Sequence, residues 1–307
     1  MPPSSLYGTA WDDRTLLERA KQANLEEERR DGVRRHFEYD WQVVARYNPD
    51  YAAHIEKERR RLGETHPMFL TQYCLKPIAG GGRLFSAAQR AQLAGSHVRQ
   101  SQPVAGESYV AGLDLAGGDD DGVVRAAADG RDATVLTIGR LVYPAPDALV
   151  QAPRIEIVEH YAWTGEPHES LAPRLIDLLR EVWRVGSVAI DATGLGETIA
   201  RMLGQALGKH RVEAVKFTAP SKSELGFGLM AAVNGGRLKM YAGDGSPEGR
   251  EFWRQCEVAR VAYRANETMN FFVDESDGHD DYLVSAALLV HAGRDRARRA
   301  ATGRVRE

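Results

Sequence analysis

Carboxylates stand at three places in this sequence where their charge is costly. Asp114 closes the apolar stretch YVAGLD, Asp191 closes a second apolar stretch, SVAID, and Asp280 and Asp281 begin a long apolar segment. An ionised carboxylate in an apolar environment destabilises the fold unless it is paired. Neither lysine nor arginine adjoins Asp114 in the sequence. We therefore ask which cation this residue meets in the folded chain.

Each of these positions also has an ordinary structural explanation. An Asp at a strand end before glycine commonly caps a turn, and an Asp at a helix start satisfies backbone N–H groups. Asp280 and Asp281 point about 100° apart on a helix. One of the two can bind a metal while the other caps the helix, and the sequence leaves both assignments open. His279, beside them, is interpreted either as a helix flank or as a group that tunes the site.

The positions of these carboxylates at the ends of predicted strands favour a common site. If the strand that ends at Asp191 pairs in parallel with the strand that ends at Asp114, the two backbones lie about 4.8 Å apart. Both carboxylates then reach the edge where mixed α/β sheets bind ligands. They repel each other unless a proton or a cation lies between them. Oxygen ligands without cysteine favour Mg²⁺ or Mn²⁺, and two such ions about 4 Å apart can promote phosphodiester hydrolysis.

Hydrophobic periodicity predicts the elements that position these residues. Three β-rich segments, SYVAGLDLA, DATVLTIGRLV and RIEIVEHYAW, predict an antiparallel meander. Helices and strands then alternate, in the order β-β-β-α-β-α-β-α, and a hairpin turning at Asn266 and a closing helix over HDDYLVSAALLVHAG follow. Right-handed crossovers convert this order into a mixed five-stranded sheet flanked by helices.

The chain is predicted to have three parts. Residues 1–105 form a helical N-terminal extension, with one helix within residues 12–31 and another within residues 49–64. Residues 106–293 form the α/β domain, and residues 294–307 form an arginine-rich tail.

The composition limits the classes of protein to which this chain can belong. The chain has 307 residues, 43% of them hydrophobic, and a formal net charge of -3. It contains no apolar run of 18 residues and no signal-like N-terminus, so we expect a cytosolic protein without a membrane span. Cys74 and Cys256 form no CxxC pair, and both are predicted to be buried apolar residues.

Other functional motifs are incomplete or missing. DATGLGETIA lacks the full dinucleotide-binding glycine pattern, and no ATP-binding phosphate loop occurs. GGDDDG lacks the spacing of a calcium loop, and no G-x-S-x-G precedes a serine nucleophile.

Taken together, the motifs resemble those of a known family. YVAGLDLAGG, RDATVLTIG, VAIDATGLGETIA, VKFTAPSKSELGFGLMAAVNGGRLKMY and GHDDYLVSAALL resemble, in order and spacing, the nuclease domain of the large terminase subunit of tailed bacteriophages and prophages. YGTAWDDRTLL and HPMFLTQYCLKPIAGGGRLF are similar to the end of that family's packaging ATPase. DATG and GHDD are the most specific of these matches.

The resemblance implies a fold, an activity and a site. The fold is ribonuclease H-like, and the activity is Mg²⁺- or Mn²⁺-dependent cutting of concatemeric viral DNA during packaging. The family's metal-binding and catalytic acids correspond to Asp114, Asp191 and the pair Asp280 and Asp281. Asp132 matches a second-rank acidic position, and Lys222 matches a basic position that could contact DNA phosphate.

The resemblance also implies partners and leaves alternatives. The partners are double-stranded DNA, the phage portal, the small terminase subunit and the packaging ATPase region, in the host cytoplasm during virion assembly. The missing phosphate loop means that ATP hydrolysis is not assigned to this chain. The alternatives are another ribonuclease H-like enzyme, such as a junction resolvase or a transposase, and a non-catalytic assembly module of the packaging motor.

Overall fold

Two compact units make up the chain in this computed structural model, Met1–Arg83 and Leu84–Glu307. The structure describes residues 16–64, 67–76, 82–116, 133–145, 152–194, 196–264 and 268–294. Asp132 and the acidic insertion around it, the hairpin turn at Asn266 and the arginine-rich tail beyond residue 294 lie outside these ranges. No helix in the described ranges is both long and apolar enough to cross a membrane.

Helices form the described part of the first unit. They are α1 (Leu16–Asp31), α2 (Trp41–Ala45), α3 (Pro49–Leu62) and α4 (Pro67–Gln72). The side chain of Asn48 caps α3 by accepting a hydrogen bond of 3.0 Å from the backbone N–H of Tyr51. Proline at the first helical position fits there because it lacks an N–H that would otherwise go unpaired.

A mixed sheet covered by helices forms the second unit. In chain order the elements are α5 (Ala87–Leu93), β1 (Ser108–Asp114), β2 (Ala133–Val142), β3 (Arg154–Thr164), α6 (His168–Ile176, continued by a π-helical turn over Asp177–Val182), β4 (Ser187–Asp191), α7 (Gly196–Leu207), β5 (Val212–Val215), α8 (Ala219–Asn234), β6 (Leu238–Met240), α9 (Pro247–Val258), β7 (Arg260–Tyr263), β8 (Met269–Phe272) and α10 (Asp281–Gly293). The predicted order β-β-β-α-β-α-β-α is confirmed.

The strands of this sheet lie in the order β5-β4-β1-β2-β3-β6. Strands β1, β4 and β5 run parallel, β2 is antiparallel to both β1 and β3, and β3 is parallel to β6. Strands β7 and β8 form the predicted hairpin as a separate two-stranded sheet. The predicted mixed α/β architecture is therefore confirmed.

The structure differs from the sequence prediction in two respects. The sheet has six strands and not five, because the three-residue strand β6 pairs with the outer edge of β3. The second unit also begins earlier than residue 106. Leu84, Phe85 and Leu93 are buried in its hydrophobic core, so the segment predicted to belong to the N-terminal extension packs with the sheet.

Helix α10 is the central helix of the second unit. All its residues except His291 are buried, which is typical of a helix that is apolar on every side. It packs directly on the backbone of β1 at Gly112, where an added Cβ would lie 2.0 Å from the carbonyl oxygen of Ser285. Glycine at this position therefore allows the helix to lie against the strand.

Candidate metal centre

The two strand-end carboxylates leave the sheet on adjacent strands. β1 and β4 pair in parallel, and the last paired residues are Leu113 and Ile190. Asp114 and Asp191 are the next residues on each strand, so they reach the same edge of the sheet. The predicted pairing of the first and fourth strands is confirmed. The Asp114 side chain is almost fully buried, with 7% of the residue exposed.

The start of α10 brings the other two carboxylates to this edge. The close contact of Gly112 with Ser285 and Leu289 holds α10 against β1. Asp281 Oδ2 accepts a hydrogen bond of 2.9 Å from the backbone N–H of Ala133, the first residue of β2. Asp281 is also buried, with 8% exposed.

The pKa of Asp114 depends on the other three carboxylates. Burial, together with the nearby charges of Asp281, Asp191 and Asp280, raises the pKa of Asp114 well above its ordinary value. Each ionised neighbour disfavours a further negative charge in a poorly solvated place. Perturbed carboxyl groups that cluster in this way are typical of functional sites.

Asp191 is held by the turn that follows its strand. Its Oδ1 accepts hydrogen bonds from the Thr193 backbone N–H at 2.9 Å and from the Thr193 hydroxyl at 2.6 Å. Helix α7 begins against this turn, because a Cβ on Gly196 would lie 2.2 Å from the Asp191 carbonyl oxygen. Burial raises the pKa of Asp191, although the Thr193 hydrogen bonds and the charge of Lys222 oppose that rise.

Lys222 supplies a positive charge to the cluster. Its Nζ lies 3.8 Å from Asp280 Oδ2 and 5.4 Å from the centre of the Phe271 ring. The same ammonium group also lowers the pKa of Asp114, against the larger effects of burial and the other carboxylates. Lys222 thus acts on three of the four carboxylates, Asp114, Asp191 and Asp280.

The four carboxylates suit a metal ion in their chemistry but do not surround one in their present arrangement. Within the described ranges, no group of three or more His, Cys, Asp or Glu side chains encloses a point where a metal could sit. Asp191 is turned to Thr193, Asp281 to Ala133 and Asp280 to Lys222. The donors nevertheless fit a hard divalent cation in chemistry and charge, because they are all carboxylate oxygens around one buried carboxyl group.

His279 lies near Glu251 of α9. Burial raises the pKa of Glu251, but hydrogen bonds from Arg254 and Gln255, with smaller effects of the nearby Arg254 and His279, lower it below its ordinary value. Cys256 is buried as predicted, whereas Cys74 is only partly buried. Asp132, the other acidic candidate, is outside the described residues.

Helix α9, which the sequence analysis did not predict, contacts both sides of the Asp280–Asp281 pair. Gln255 Oε1 accepts a hydrogen bond of 3.1 Å from the Leu283 backbone N–H, and Arg254 donates to the Asp277 carbonyl. The signal for this helix was present in the sequence. Ser246 caps it, and Pro247 occupies its first turn, which is a typical start of a helix.

Comparisons with known proteins give similarity in structure alone. No known family profile matches the chain, and no curated protein matches it significantly. Among solved structures, the chain is similar to the large terminase nuclease of thermophilic phage G20c with bound magnesium, at 15% identity and a TM-score of 0.48, over 68% of this chain and 97% of that one.

Two further solved structures are similar. One is the nuclease domain of the large terminase subunit gp2 of bacterial virus Sf6 with manganese and β-thujaplicinol, at 9% identity, a TM-score of 0.46, and coverage of 70% of this chain and 100% of that one. The other is the HK97 bacteriophage large terminase, at 11% identity, a TM-score of 0.45, and coverage of 92% and 61%. These proteins belong to the family that the sequence motifs resemble.

Proposed function

We propose that this chain is a metal-dependent endonuclease that cuts double-stranded DNA, with Asp114, Asp191, Asp280 and Asp281 as its metal ligands. The observation that carries the proposal is that the ends of β1 and β4 and the start of α10 bring these carboxylates to one edge of the sheet, beside the buried Asp114. They come from three segments that are far apart in the sequence. A fold gains no stability from such repulsion, so we attribute the cluster to a ligand that it binds.

The proposed roles follow from position. Asp114 and Asp191 would hold a divalent cation from the two strand ends, and Asp280 and Asp281 would hold it from the start of α10. The carboxylates would have to turn from their present partners toward one another. When bound, one or two such ions supply charge neutralisation at a phosphodiester and a nucleophilic water at neutral pH.

Lys222 would contact DNA in this proposal. Its side chain is about a quarter exposed and its ammonium lies at the rim of the carboxylate cluster. A lysine there can pair with a phosphate oxygen of the substrate and reduce the repulsion between the DNA backbone and the acidic site. Asp132 and His279 have secondary roles in the proposal, near the metal ligands.

The biological setting that we propose is genome packaging. This part rests on the motif resemblance, which points to cutting of concatemeric viral DNA by a packaging motor. The similar nucleases were solved with magnesium and with manganese, and these two ions are therefore the first to assay.

Plasmid cleavage with a metal series tests the proposal. We expect supercoiled plasmid to be nicked and linearised with Mn²⁺ or Mg²⁺ and to stay intact in EDTA. Asp191→Asn should lower the rate at least about 100-fold, because even residues that only support metal ligands cost 10–100-fold when changed. The matched control is Asp177→Asn, at an exposed aspartate that begins the π-helical turn after α6, which should cut like wild type.

Three outcomes would redirect the proposal. Cleavage in EDTA, or an Asp191→Asn variant as active as wild type, would rule out the metal centre. Faster cutting of branched than of linear DNA would favour a junction resolvase. Binding to a phage portal without any cleavage under Mn²⁺ would favour an assembly module.

A further inference from the structure

Helix α10 is capped by a residue from another helix. Asp280 occupies the N-cap position of α10, yet its side chain makes no capping hydrogen bond. An Asp at this position usually accepts a hydrogen bond from the backbone N–H two or three residues further on. In this chain the N–H three residues on, that of Leu283, donates instead to Gln255 Oε1 at 3.1 Å. Gln255 is fully buried, with 1% exposed.

The orientation of the Gln255 amide is defined by its second partner. Gln255 Nε2 donates to Glu251 Oε1 at 3.0 Å, one turn earlier on α9. A carboxylate can only accept, so the amide nitrogen must face Glu251 and the amide oxygen must face Leu283. Arg254 holds Glu251 in place through two hydrogen bonds of 2.7 and 2.6 Å, a bidentate pair of the stronger kind.

The same arginine fixes the segment before Asp280. Arg254 donates to the carbonyl of Asp277, and its guanidinium lies against Gly278, where an added Cβ would come within 2.9 Å of it. Gly278 has a φ of +106°, which favours glycine. We call Glu251, Arg254 and Gln255 the α9 clamp. It contacts the chain on both sides of the Asp280–Asp281 pair.

We propose that Gln255 is a positioning residue that caps α10 in place of Asp280 and so keeps the Asp280 carboxylate beside Lys222 and away from the Leu283 N–H. In its metal-binding part this inference rests on the proposed function. Its physical basis is competition for one buried N–H. The Leu283 N–H must be paired, and Asp280 is at the position from which a side chain can pair with it.

A double-mutant cycle tests the cap without any metal. The four proteins are wild type, Gln255→Met, Asp280→Ala and the double variant, unfolded with urea in EDTA. Methionine has a similar length to glutamine but no strong acceptor. With Gln255 present, Asp280→Ala removes no cap. In the Gln255→Met background Asp280 becomes the cap, and Asp280→Ala should lower the folding equilibrium constant about fivefold more than in wild type.

Equal effects of Asp280→Ala in the two backgrounds would overturn the inference. If Gln255→Met does not fold, Glu251→Gln replaces it in the cycle, because the amide of Gln255 can then turn over. In that cycle Asp280→Ala should lower the folding equilibrium constant about threefold more in the Glu251→Gln background than in wild type. Equal effects in the two backgrounds would again count against the cap.

Calorimetric titration with Mn²⁺ tests the consequence for the site. Gln255→Met should bind Mn²⁺ about tenfold more weakly than wild type, as expected when a residue that supports a ligand is lost. The matched control is Gln205→Met, at an exposed glutamine of α7, which should bind like wild type. Unchanged affinity in Gln255→Met would overturn the positioning role. If wild type neither binds Mn²⁺ nor cuts DNA, the proposed function fails, and the unfolding cycle still decides whether Gln255 is the cap.

Discussion

Asp114 and Asp191 are the residues that follow the last paired positions of two adjacent parallel strands. Their carboxylates therefore leave the sheet together at one edge, without a local lysine or arginine beside Asp114 in sequence. The buried helix α10 adds Asp281 to the same edge, because Gly112 lets its backbone lie against β1. Strand pairing and a close helix contact thus concentrate negative charge at one place in the second unit.

Neutralising Asp114 should stabilise the protein in EDTA. Its pKa is raised by burial and by the nearby carboxylates, so the ionised form lowers the stability of the fold at neutral pH. We expect Asp114→Asn to unfold at a higher urea concentration than wild type at pH 8 in EDTA. We also expect Mn²⁺ to raise the melting temperature of wild type but not that of Asp114→Asn.

The pH dependence of the stability of Asp114→Asn tests the direction of the pKa shift of Asp114. A carboxyl group with a raised pKa binds its proton more readily in the folded chain, so its ionisation destabilises the fold as pH rises through the folded pKa. In EDTA, the stability difference between Asp114→Asn and wild type should therefore shrink as pH falls toward about 4, the ordinary value for Asp. A stability difference that is constant, or larger, at low pH would contradict a raised pKa of Asp114.

Much of the fold was predictable from sequence because its signals are local. The strands that end at Asp114 and Asp191 have apolar runs bounded by turn residues, and α10 has a long apolar pattern. Strand β6 is only three residues long and pairs at a sheet edge, so its sequence carries no periodic signal. The boundary at residue 105 was wrong because burial of Leu84 and Phe85 depends on distant contacts.

The site was predictable in part. The sequence predicted that Asp114 and Asp191 reach one edge of the sheet, since the ends of two paired parallel strands lie together. It left open whether Asp280 or Asp281 caps the helix, and the structure shows a third outcome. Asp281 accepts from Ala133, Asp280 makes no capping hydrogen bond, and Gln255 pairs with the helix start. Such a contact between residues 28 positions apart has no local pattern.

Adding a methyl group at Gly112 should destabilise the fold and disturb the site together. A Cβ there would lie 2.0 Å from the Ser285 carbonyl oxygen and 2.3 Å from the Leu289 nitrogen, so α10 would have to move. We expect Gly112→Ala to lose about 3 kcal/mol in the free energy of unfolding and to bind Mn²⁺ more weakly. Urea unfolding and calorimetry would measure the two effects.

Gly186→Ala is the matched control for this prediction. A Cβ at Gly186 would lie 3.6 Å from the Tyr109 carbonyl oxygen, which is an ordinary contact. Its free energy of unfolding should stay within about 1 kcal/mol of wild type. Equal losses in the two variants would show that the contact between α10 and β1 is not the cause.

His160 should make the fold less stable below neutral pH. It is fully buried, its Nδ1 lies 3.0 Å from the Thr137 hydroxyl, and that hydroxyl lies 2.6 Å from the Ser285 hydroxyl. Burial, with a smaller effect of Arg99, lowers the pKa of His160 to about 3. The unfolded chain binds the proton near about pH 6.5, so stability should fall as pH drops below that value, by about 2 kcal/mol at pH 5.

His160→Gln should lose this dependence. Its stability should change less between pH 7 and pH 5 than that of wild type, when both are unfolded with urea in EDTA. His210→Gln, at an exposed histidine in the same unit, should keep the wild-type profile. If His160→Gln and wild type lose stability in parallel, His160 does not remain neutral in the folded protein.

Lys222 should contribute one phosphate contact to DNA binding. Its ammonium lies 3.8 Å from Asp280 Oδ2 at the rim of the carboxylate cluster, where the proposed substrate would pass. Each lost phosphate contact lowers the slope of log affinity against log salt by about 1. Lys222→Gln should show that change in fluorescence anisotropy titrations of a short labelled duplex in EDTA, between about 50 and 200 mM salt.

The matched control is Lys209→Gln, before β5 at the opposite end of the parallel strands, which should keep the wild-type slope. The same slope in Lys222→Gln as in wild type would show that this lysine acts on the carboxylates alone.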